Sequence, residues 1–186
     1  MIRGLIQLSS RTFPEAKRFA TDLSQRVLAL GRAHDFVRLQ NVTPRGESDL
    51  KLFALLRELL APYQEGKRIL LNGDDILIHD GAATSLALLF HELATNAAKY
   101  GALSVTEGRV TISSEVRDRT VEMKWLEIGG PPAKIPSQFG FGSRLARLAV
   151  ERQLGGTLIY DWTKAGVVVT ATVPFKGVVG DLPNAE

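Results

Sequence analysis

Apolar residues recur at three- and four-residue steps between Leu86 and Gly101, a spacing that predicts a helix with one buried face. The members of this apolar stripe are Leu86, Leu89, Phe90, Leu93, Ala97 and Tyr100. Glu92, Asn96 and Lys99 follow at four- and three-residue steps, so a carboxylate, a carboxamide and an ammonium line up beside the stripe. We expect the rest of the chain to pack around this central helix.

The chain before residue 45 predicts a helical hairpin. Residues 2–8 have the pattern of a helix end, and Thr12-Phe-Pro-Glu15 supplies an N-cap, an early proline and a capping-box glutamate for a second helix. That helix has an apolar seam of heptad type, formed by Phe19, Leu23, Val27, Leu30, His34 and Val37. Because two helices cannot bury such a seam alone, we expect a four-helix bundle made by two copies of the chain, and hence a homodimer.

Shorter elements connect this hairpin to the central helix. Ser48 can cap a helix that carries Leu50 and ends at Ala61-Pro62. The apolar triplets at 69–71 and 76–78 predict a hairpin. Asp80 is then expected to cap the central helix, and Gly101 to end it with a positive φ.

The second half of the chain predicts strands on both sides of one helix. Residues 110–116 and 120–126 alternate as two strands, and residues 157–162 and 167–173 as a last hairpin. A helix between them opens at Phe139-Gly140-Phe-Gly142. The fold class expected from this order is α/β, a two-layer sandwich with a mixed sheet and helices on one face.

Composition limits the classes of function. The 186 residues are 45% hydrophobic and 23% charged, which suits one core with an appended arm. The chain has no cysteine and three scattered histidines, so disulfides, thiolate metal sites and a zinc site are not expected. No apolar run has transmembrane length and no signal-peptide pattern opens the chain, so we expect a cytoplasmic protein without membrane contact.

Charge is concentrated in the arm. Residues 1–45 hold eight Lys and Arg against three Asp and Glu, and the remainder holds fifteen against seventeen. Basic residues interleaved with aromatics, or a known nucleic-acid module, are missing from the sequence, so nucleic acid is not an expected partner. A basic helix could instead dock on an acidic protein surface, or simply present a solvated face.

Three places in the sequence carry candidate chemistry. Asn96 and Glu92 offer oxygens that suit Mg²⁺, and Lys99 suits the phosphates that accompany it, although a solvated helix face remains open. Glu127 ends a strand that runs into glycines and prolines, where a ligand could approach closely, although a surface charge remains open. The glycines at 140 and 142 precede a helix N-terminus, whose free N–H groups favour phosphate.

These three places resemble one family in order and residue type. The stretch His91-Glu-Leu-Ala-Thr-Asn96-Ala-Ala-Lys99 looks like the N box of sensor histidine kinases with the gyrase/Hsp90-type ATPase fold. The HWE subfamily is named for an N-box histidine and a later Trp-x-Glu, which here are His91 and Trp125-Leu-Glu127. The glycine pairs at 129–130 and 140–142 are similar to its G1 and G2 boxes.

The resemblance implies ATP and Mg²⁺ as ligands and assigns a role to each matching residue. Asn96 would hold Mg²⁺, Lys99 would contact phosphate, and Glu127 would accept a hydrogen bond from the adenine amino group. Glu92 would act as a general base, with His91 ordering it or contacting phosphate. The glycine boxes and their neighbours would surround the nucleotide: Gly129, Gly130, Gly140, Gly142, Ser143 and Arg144, with residues 133–138 as a short lid.

The resemblance also implies a domain division and a reaction. Residues 1–45 would be a dimerisation and phosphotransfer hairpin truncated at its start, 46–176 the ATP-binding domain and 177–186 a flexible tail. The phospho-accepting histidine would fall just upstream of Met1, and His34 is expected to be a core or capping residue. The implied activity is phosphoryl transfer from ATP to a histidine and onward to a response regulator receiver domain. The alternatives are a degenerate regulator or phosphatase that does not autophosphorylate, and a dimeric scaffold without nucleotide affinity.

Overall fold

The computed structural model describes residues 17–40, 50–136 and 138–180. The helices are α1 Lys17–Gln40, α2 Leu52–Leu60, α3 Asp80–Tyr100, α4 Phe141–Leu148 and α5 Phe175–Val179. The strands are β1 Ile69–Gly73, β2 Arg109–Arg117, β3 Thr120–Ile128, β4 Thr157–Thr163 and β5 Gly166–Pro174. A π-helical turn, Ala149–Gln153, prolongs α4, and 3₁₀ turns occupy Ala61–Tyr63, Glu65–Lys67 and Ala102–Ser104.

The five strands form one mixed sheet in the order β1-β2-β3-β5-β4. β1 is parallel to β2, and the other neighbours are antiparallel. Alternate residues of β3 are buried, and these are Val121, Met123, Trp125 and Glu127. Because the side-chain period of a strand is two, Glu127 lies on the same core-facing side as Trp125. The α/β two-layer sandwich expected from the sequence is confirmed.

Helix α3 is the predicted central helix, and its apolar stripe lies in the core. Five of the six stripe residues are buried, and these are Leu86, Leu89, Phe90, Leu93 and Ala97. Tyr100 is 63% exposed, contrary to the prediction, because the last turn of α3 borders an open cavity. Helices α1 and α2 pack beside α3, so the central position of this helix is as expected.

The predicted hairpin of residues 69–78 is wrong. β1 pairs in parallel with β2, and residues 76–78 instead run beside residues 50–52. The Asp75 carboxylate accepts the Phe53 N–H, and the Asp74 carboxylate accepts the Val116 N–H. These two aspartates anchor the segment after β1 to α2 and β2, so the chain does not fold back on β1.

Both ends of α3 differ from the prediction. His79, not Asp80, is the N-cap, because its Nδ1 accepts the N–H groups of Gly81 and Ala82. Gly101 has φ −115°, which any residue adopts, so positive φ does not explain this glycine. Space explains it instead, since a Cβ there would lie 1.9 Å from Glu127 Oε2.

Helix α1 buries a face different from the predicted seam. Its buried residues are Ala20, Arg26, Ala29 and Ala33. Phe19 is exposed, and the His34 side chain is 78% exposed, so His34 is neither a core nor a capping residue. Leu23, Val27 and Leu30 are half-buried, and the dimer they were expected to form stays a prediction.

Two boundaries are also corrected. Helix α2 begins at Leu52, so Leu50 precedes it, and the expected cap Ser48 lies outside the described residues. Residues 175–179 form a short helix whose Val178 is completely buried, although a flexible tail was expected from residue 177. The His79 N–H donates to the Val178 carbonyl, which ties this helix to the start of α3. The first helix of the expected hairpin falls outside the described residues.

Candidate functional site

A cavity of about 720 Å³ lies between α1, the second half of α3, the segments 130–136 and 138–140, and the start of α4. It brings together most of the site residues that the sequence singled out: His91, Glu92, Asn96, Lys99, Glu127, Gly130, Gly140, Gly142 and Ser143. Gly129 and Arg144 are neighbours of lining residues but do not line the cavity themselves. The three separate sequence motifs therefore meet at one place.

Glu127 is fixed at the cavity wall by two protein donors. Its Oε2 accepts the Ala102 N–H at 2.7 Å, and its Oε1 accepts the indole N–H of Trp125 at 3.0 Å. The side chain is 6% exposed, and burial raises the pKa of Glu127 above its ordinary 4.5, although the two hydrogen bonds act in the opposite direction. Trp125 and Glu127 can bond because residues two apart on a strand share a face.

Asn96 and Lys99 point at the same cavity but differ in what they contact. Within residues 17–40, 50–136 and 138–180, the half-buried Asn96 side chain makes no hydrogen bond. The Lys99 ammonium pairs with the Asp22 carboxylate of α1 at 3.0 Å, and both side chains are about one-third exposed (39% and 30%). The Asn96 carboxamide is therefore available to a ligand, whereas Lys99 already has a partner.

Glu92 is held by an arginine from α1. The Arg26 guanidinium contacts both carboxylate oxygens, with Nη2 at 3.2 Å from Oε2, and the two residues are 9% and 4% exposed. The same guanidinium lies 5.2 Å from the centroid of the Phe141 ring, a cation–π contact. Glu92 therefore faces a cation of its own chain, and its assignment as a general base stays a prediction.

The start of α4 closes the cavity above Glu92. Gly140 is the N-cap of α4 with no side-chain cap, so the first N–H groups of this helix lack intrahelical partners. A Cβ on Gly142 would lie 1.7 Å from Glu92 Oε2, so only glycine lets α4 approach the carboxylate. An anion at this end of the cavity would meet the positive end of the α4 dipole.

His91 is half-buried in the cavity wall. Burial lowers the pKa of His91 below its ordinary 6.5, and nearby Arg26, Arg32 and Lys99 lower this pKa further, against the opposing effect of Glu92. The imidazole is thus kept neutral near pH 7, and a neutral ring can order Glu92 without adding charge.

His91 should make the fold sensitive to acid. Because the folded pKa lies below 6.5, the unfolded chain binds the proton first, so stability falls as the pH drops below about 6.5. We expect His91→Gln to flatten this fall in urea titrations between about pH 7 and pH 5. His34→Gln, at an exposed histidine of α1, is the control, and an identical pH slope in wild type and His91→Gln would contradict the assignment.

An aromatic wall of the cavity was missed from the sequence. Tyr160 and Trp162 stack with ring centroids 5.8 Å apart, and Phe139 lies 6.0 Å from Tyr160. Burial raises the pKa of Tyr160 to about 12, and the hydroxyl has no partner among the described residues. Tyr160 and Trp162 are two residues apart on β4 and therefore lie on the same face of the strand. This period-two spacing could have identified them as neighbours on one face from the sequence.

The contributions of α1 to the cavity were also missed. Phe19, Asp22, Gln25 and Arg26 line it, and Phe19 meets Phe141 edge-on at 5.8 Å. The docking of the basic arm on an acidic protein surface stays a prediction, and within the chain Arg26 of this arm pairs with the buried Glu92. No local pattern in the sequence names that partner, because the two residues are 66 positions apart.

Two features are missing from the part of the chain that the structure describes. Among the residues that the structure describes, no cluster of three His, Asp or Glu side chains could hold a metal ion. None of the described helices combines the length and apolarity needed to cross a bilayer.

Comparison with known proteins gives a consistent family. A sequence profile of the HWE histidine kinase family matches residues 1–75. The blue-light-activated histidine kinase of Rhizobium johnstonii is 32% identical over 179 residues, covering 95% of this chain and 50% of that protein. Blue-light-activated histidine kinase 1 of Erythrobacter litoralis is 34% identical over 179 residues, covering 94% of this chain and 49% of that protein.

Solved structures show the same fold. The histidine kinase domain of the Erythrobacter litoralis EL346 blue-light-activated histidine kinase has a TM-score of 0.68 at 22% identity, over 93% of this chain and 83% of that one. The catalytic domain of the histidine kinase ThkA has a TM-score of 0.53 at 24% identity, over 66% of this chain and 91% of that one. The chain spans about half the length of the curated relatives it matches. The N-box and Trp-x-Glu residues, the family profile and these relatives together show that the chain belongs to the HWE-type sensor histidine kinases.

Proposed function

We propose that this chain binds Mg²⁺-ATP in the 720 Å³ cavity and serves as the ATP-binding part of a histidine kinase in a two-component system. The observation that carries the proposal is the convergence of three motifs on one cavity. Asn96 and Lys99 come from α3, Glu127 from β3, and N–H groups without a side-chain cap from the start of α4.

The residues present fit a magnesium nucleotide. Mg²⁺ in phosphate-binding sites takes most of its oxygen ligands from phosphates and water and few from the protein, and the Asn96 carboxamide oxygen could supply one of them. The Asn96 side chain has no hydrogen bond within the described part of the chain and lines the cavity, which leaves its oxygen available. Bound Mg²⁺ would offset the negative charge of the phosphates during transfer.

The roles of the chain's own side chains follow from chemistry. Lys99 would add a point charge to the phosphates, and the α4 N-terminus would receive them. Glu127 can accept more hydrogen bonds than the two from its protein donors, because each carboxylate oxygen has two lone pairs. It would accept a further hydrogen bond from the adenine amino group. Glu92 would take the N–H proton of an acceptor imidazole as that ring attacks the terminal phosphorus and ADP leaves.

Replacing Asn96 tests the nucleotide site. We expect Asn96→Ala to weaken Mg²⁺-ATP binding by at least about tenfold and to remove most of its Mg²⁺ dependence, because the predicted metal ligand is lost. Isothermal titration calorimetry with and without Mg²⁺ measures both effects.

Asn72→Ala makes the same chemical change on β1, outside the cavity, and should bind as wild type does. Tight binding retained by Asn96→Ala, or no binding by the wild type, would sink the proposed site.

A non-autophosphorylating regulator or phosphatase is the second candidate. The pairing of Glu92 with Arg26 favours it, because a base that faces an arginine is not free to accept a proton. The two candidates differ when the protein is incubated with ATP labelled at the terminal phosphate and with the histidine-bearing hairpin of a related histidine kinase. Alkali-stable, acid-labile labelling would support the kinase, and nucleotide binding without labelling would favour the regulator.

The remaining assignments belong to the same proposal. Transfer onward would need a response regulator receiver domain as partner, and the half-buried seam of α1 is where a homodimer would form. A cytoplasmic location would suit both ATP and such a partner. We expect no nucleic-acid partner for the proposed function.

A further inference from the structure

Two oppositely charged side chains of α1 reach the two charged side chains of α3 in the cavity. Asp22 pairs with Lys99, and Arg26, one turn later, pairs with Glu92. The order of the partners is reversed on α3, so the two helices run antiparallel along the cavity wall. Glu92 and Lys99 are therefore each paired with an opposite charge from the chain's own arm.

The two ion pairs differ in how easily a ligand can replace them. Arg26 and Glu92 are more than nine-tenths buried, bonded at both carboxylate oxygens, and covered by Phe141. Removing one member of such a pair leaves an uncompensated buried charge, which is strongly unfavourable. Lys99 and Asp22 are about one-third exposed, and a pair of that kind contributes little and exchanges readily. Competition by an anion is thus expected at Lys99.

We propose that Asp22 is an affinity-determining residue of the nucleotide site, where it competes with the nucleotide phosphates for Lys99. Arg26 is the positioning residue that keeps α1, and with it Asp22, against the cavity. The inference rests on the proposed nucleotide function and adds the part of the chain that regulates it. Nucleotide binding and this contact of α1 are then coupled, and each weakens the other.

Electrostatics sets the direction of the effect. The Asp22 carboxylate pairs with the Lys99 ammonium. It also places a negative charge close to the expected position of the phosphates, in a partly enclosed cavity where charges interact strongly. Asp22→Asn removes both effects without changing the size of the side chain. We expect this variant to bind Mg²⁺-ATP about two- to fivefold more tightly than wild type, a modest gain because the pair is partly exposed.

Asp35→Asn is a matched control. It also removes one carboxylate from α1, but the Asp35 side chain is 72% exposed and lies outside the cavity. Calorimetric titration of Mg²⁺-ATP into the whole chain should give wild-type affinity for Asp35→Asn and higher affinity for Asp22→Asn. Equal affinity in these two variants, or weaker binding by Asp22→Asn, would overturn the inference.

A double-mutant cycle identifies Lys99 as the point of competition. Lys99→Met removes the ammonium, so adding Asp22→Asn to it should bring much less gain than Asp22→Asn alone. A gain of the same size in both backgrounds would mean that Asp22 acts elsewhere, and the inference would fail.

Hydrogen exchange of α1 provides a readout besides affinity. We expect Mg²⁺-ATP to speed amide exchange near Asp22, and Arg26→Gln to speed exchange along α1 even without nucleotide. Slower exchange near Asp22 on adding nucleotide would contradict the competition. Flat titrations for wild type and Asp22→Asn alike would instead overturn the nucleotide function itself, whereas wild-type binding that Asp22→Asn leaves unchanged overturns only this inference.

Discussion

Trp125→Ala should destabilise the protein by about 3–5 kcal/mol, the usual cost of truncating a buried aromatic residue. Trp125 is 1% exposed and packs against Phe90, with ring centroids 6.4 Å apart. Its strand neighbours Ile112 and Val169 are equally buried, so the surrounding side chains can do little to fill the void that the removed indole ring would leave. Since the free energy of unfolding of a native protein is about 5–15 kcal/mol, the loss is a large share of the stability.

Urea unfolding followed by far-ultraviolet circular dichroism measures this loss. Trp125→Phe is the matched variant, because it keeps most of the apolar volume and removes the indole N–H. It should cost about 1–3 kcal/mol, the penalty for a buried carboxylate oxygen of Glu127 that loses a donor. A loss below about 1 kcal/mol for Trp125→Ala would show that packing at this position has been misjudged.

The pair of Trp125 and Glu127 gives a physical reason for the Trp-x-Glu spacing. A carboxylate at the core-facing side of β3 is costly unless its oxygens are bonded, and a tryptophan two residues earlier places a donor on the same face. The second donor, Ala102 N–H, comes from the turn after α3. Glu127 thereby joins the turn after α3 to β3, and the carboxylate that is proposed to read the base is held in place without nucleotide.

Local periodicity explains which elements could be predicted. The α3 stripe and the alternation of β2, β3, β4 and β5 repeat within a few residues, and the motifs they carry could therefore be placed on the right elements. The partner of β1 could not be found in this way, because β1 pairs with a strand about forty residues later instead of with its neighbour in sequence. The helix Phe175–Val179 was missed for a similar reason, since it is held by tertiary contacts, among them the hydrogen bond from the His79 N–H to the Val178 carbonyl.

The charges of the site show the same limit. Glu92, Asn96 and Lys99 were identified from their helical spacing, and all three line the cavity. Their protein partners, Asp22 and Arg26, lie on a helix whose charges show no pattern linked to α3. Spacing therefore predicted the candidate groups. Whether each of them is paired with an opposite charge depends on tertiary contacts, which spacing does not show.

Gly130→Ala should cost about 2–3 kcal/mol and disturb the proposed nucleotide site as well, an effect of overpacking against backbone. A Cβ on Gly130 would lie 2.6 Å from Ala102 Cα and 2.7 Å from Ala102 N, and backbone cannot swing aside as a side chain can. Ala102 N is the donor to Glu127, so moving it also weakens the carboxylate's anchor. Thermal unfolding and Mg²⁺-ATP titration should therefore change together.

Gly140→Ala is the control, because it adds the same methyl group to another glycine of the cavity wall. Apart from its chain neighbours, no heavy atom of the described residues lies within 4 Å of a Cβ placed on Gly140, and φ is −67°, so only a poorer N-cap is expected, costing under about 1 kcal/mol. The two variants separate two uses of glycine that one sequence pattern cannot distinguish. Gly130 is small because the chain's own backbone approaches it, whereas Gly140 borders the open cavity. Equal stability of the two variants would contradict this difference and would mean that Ala102 can move without loss.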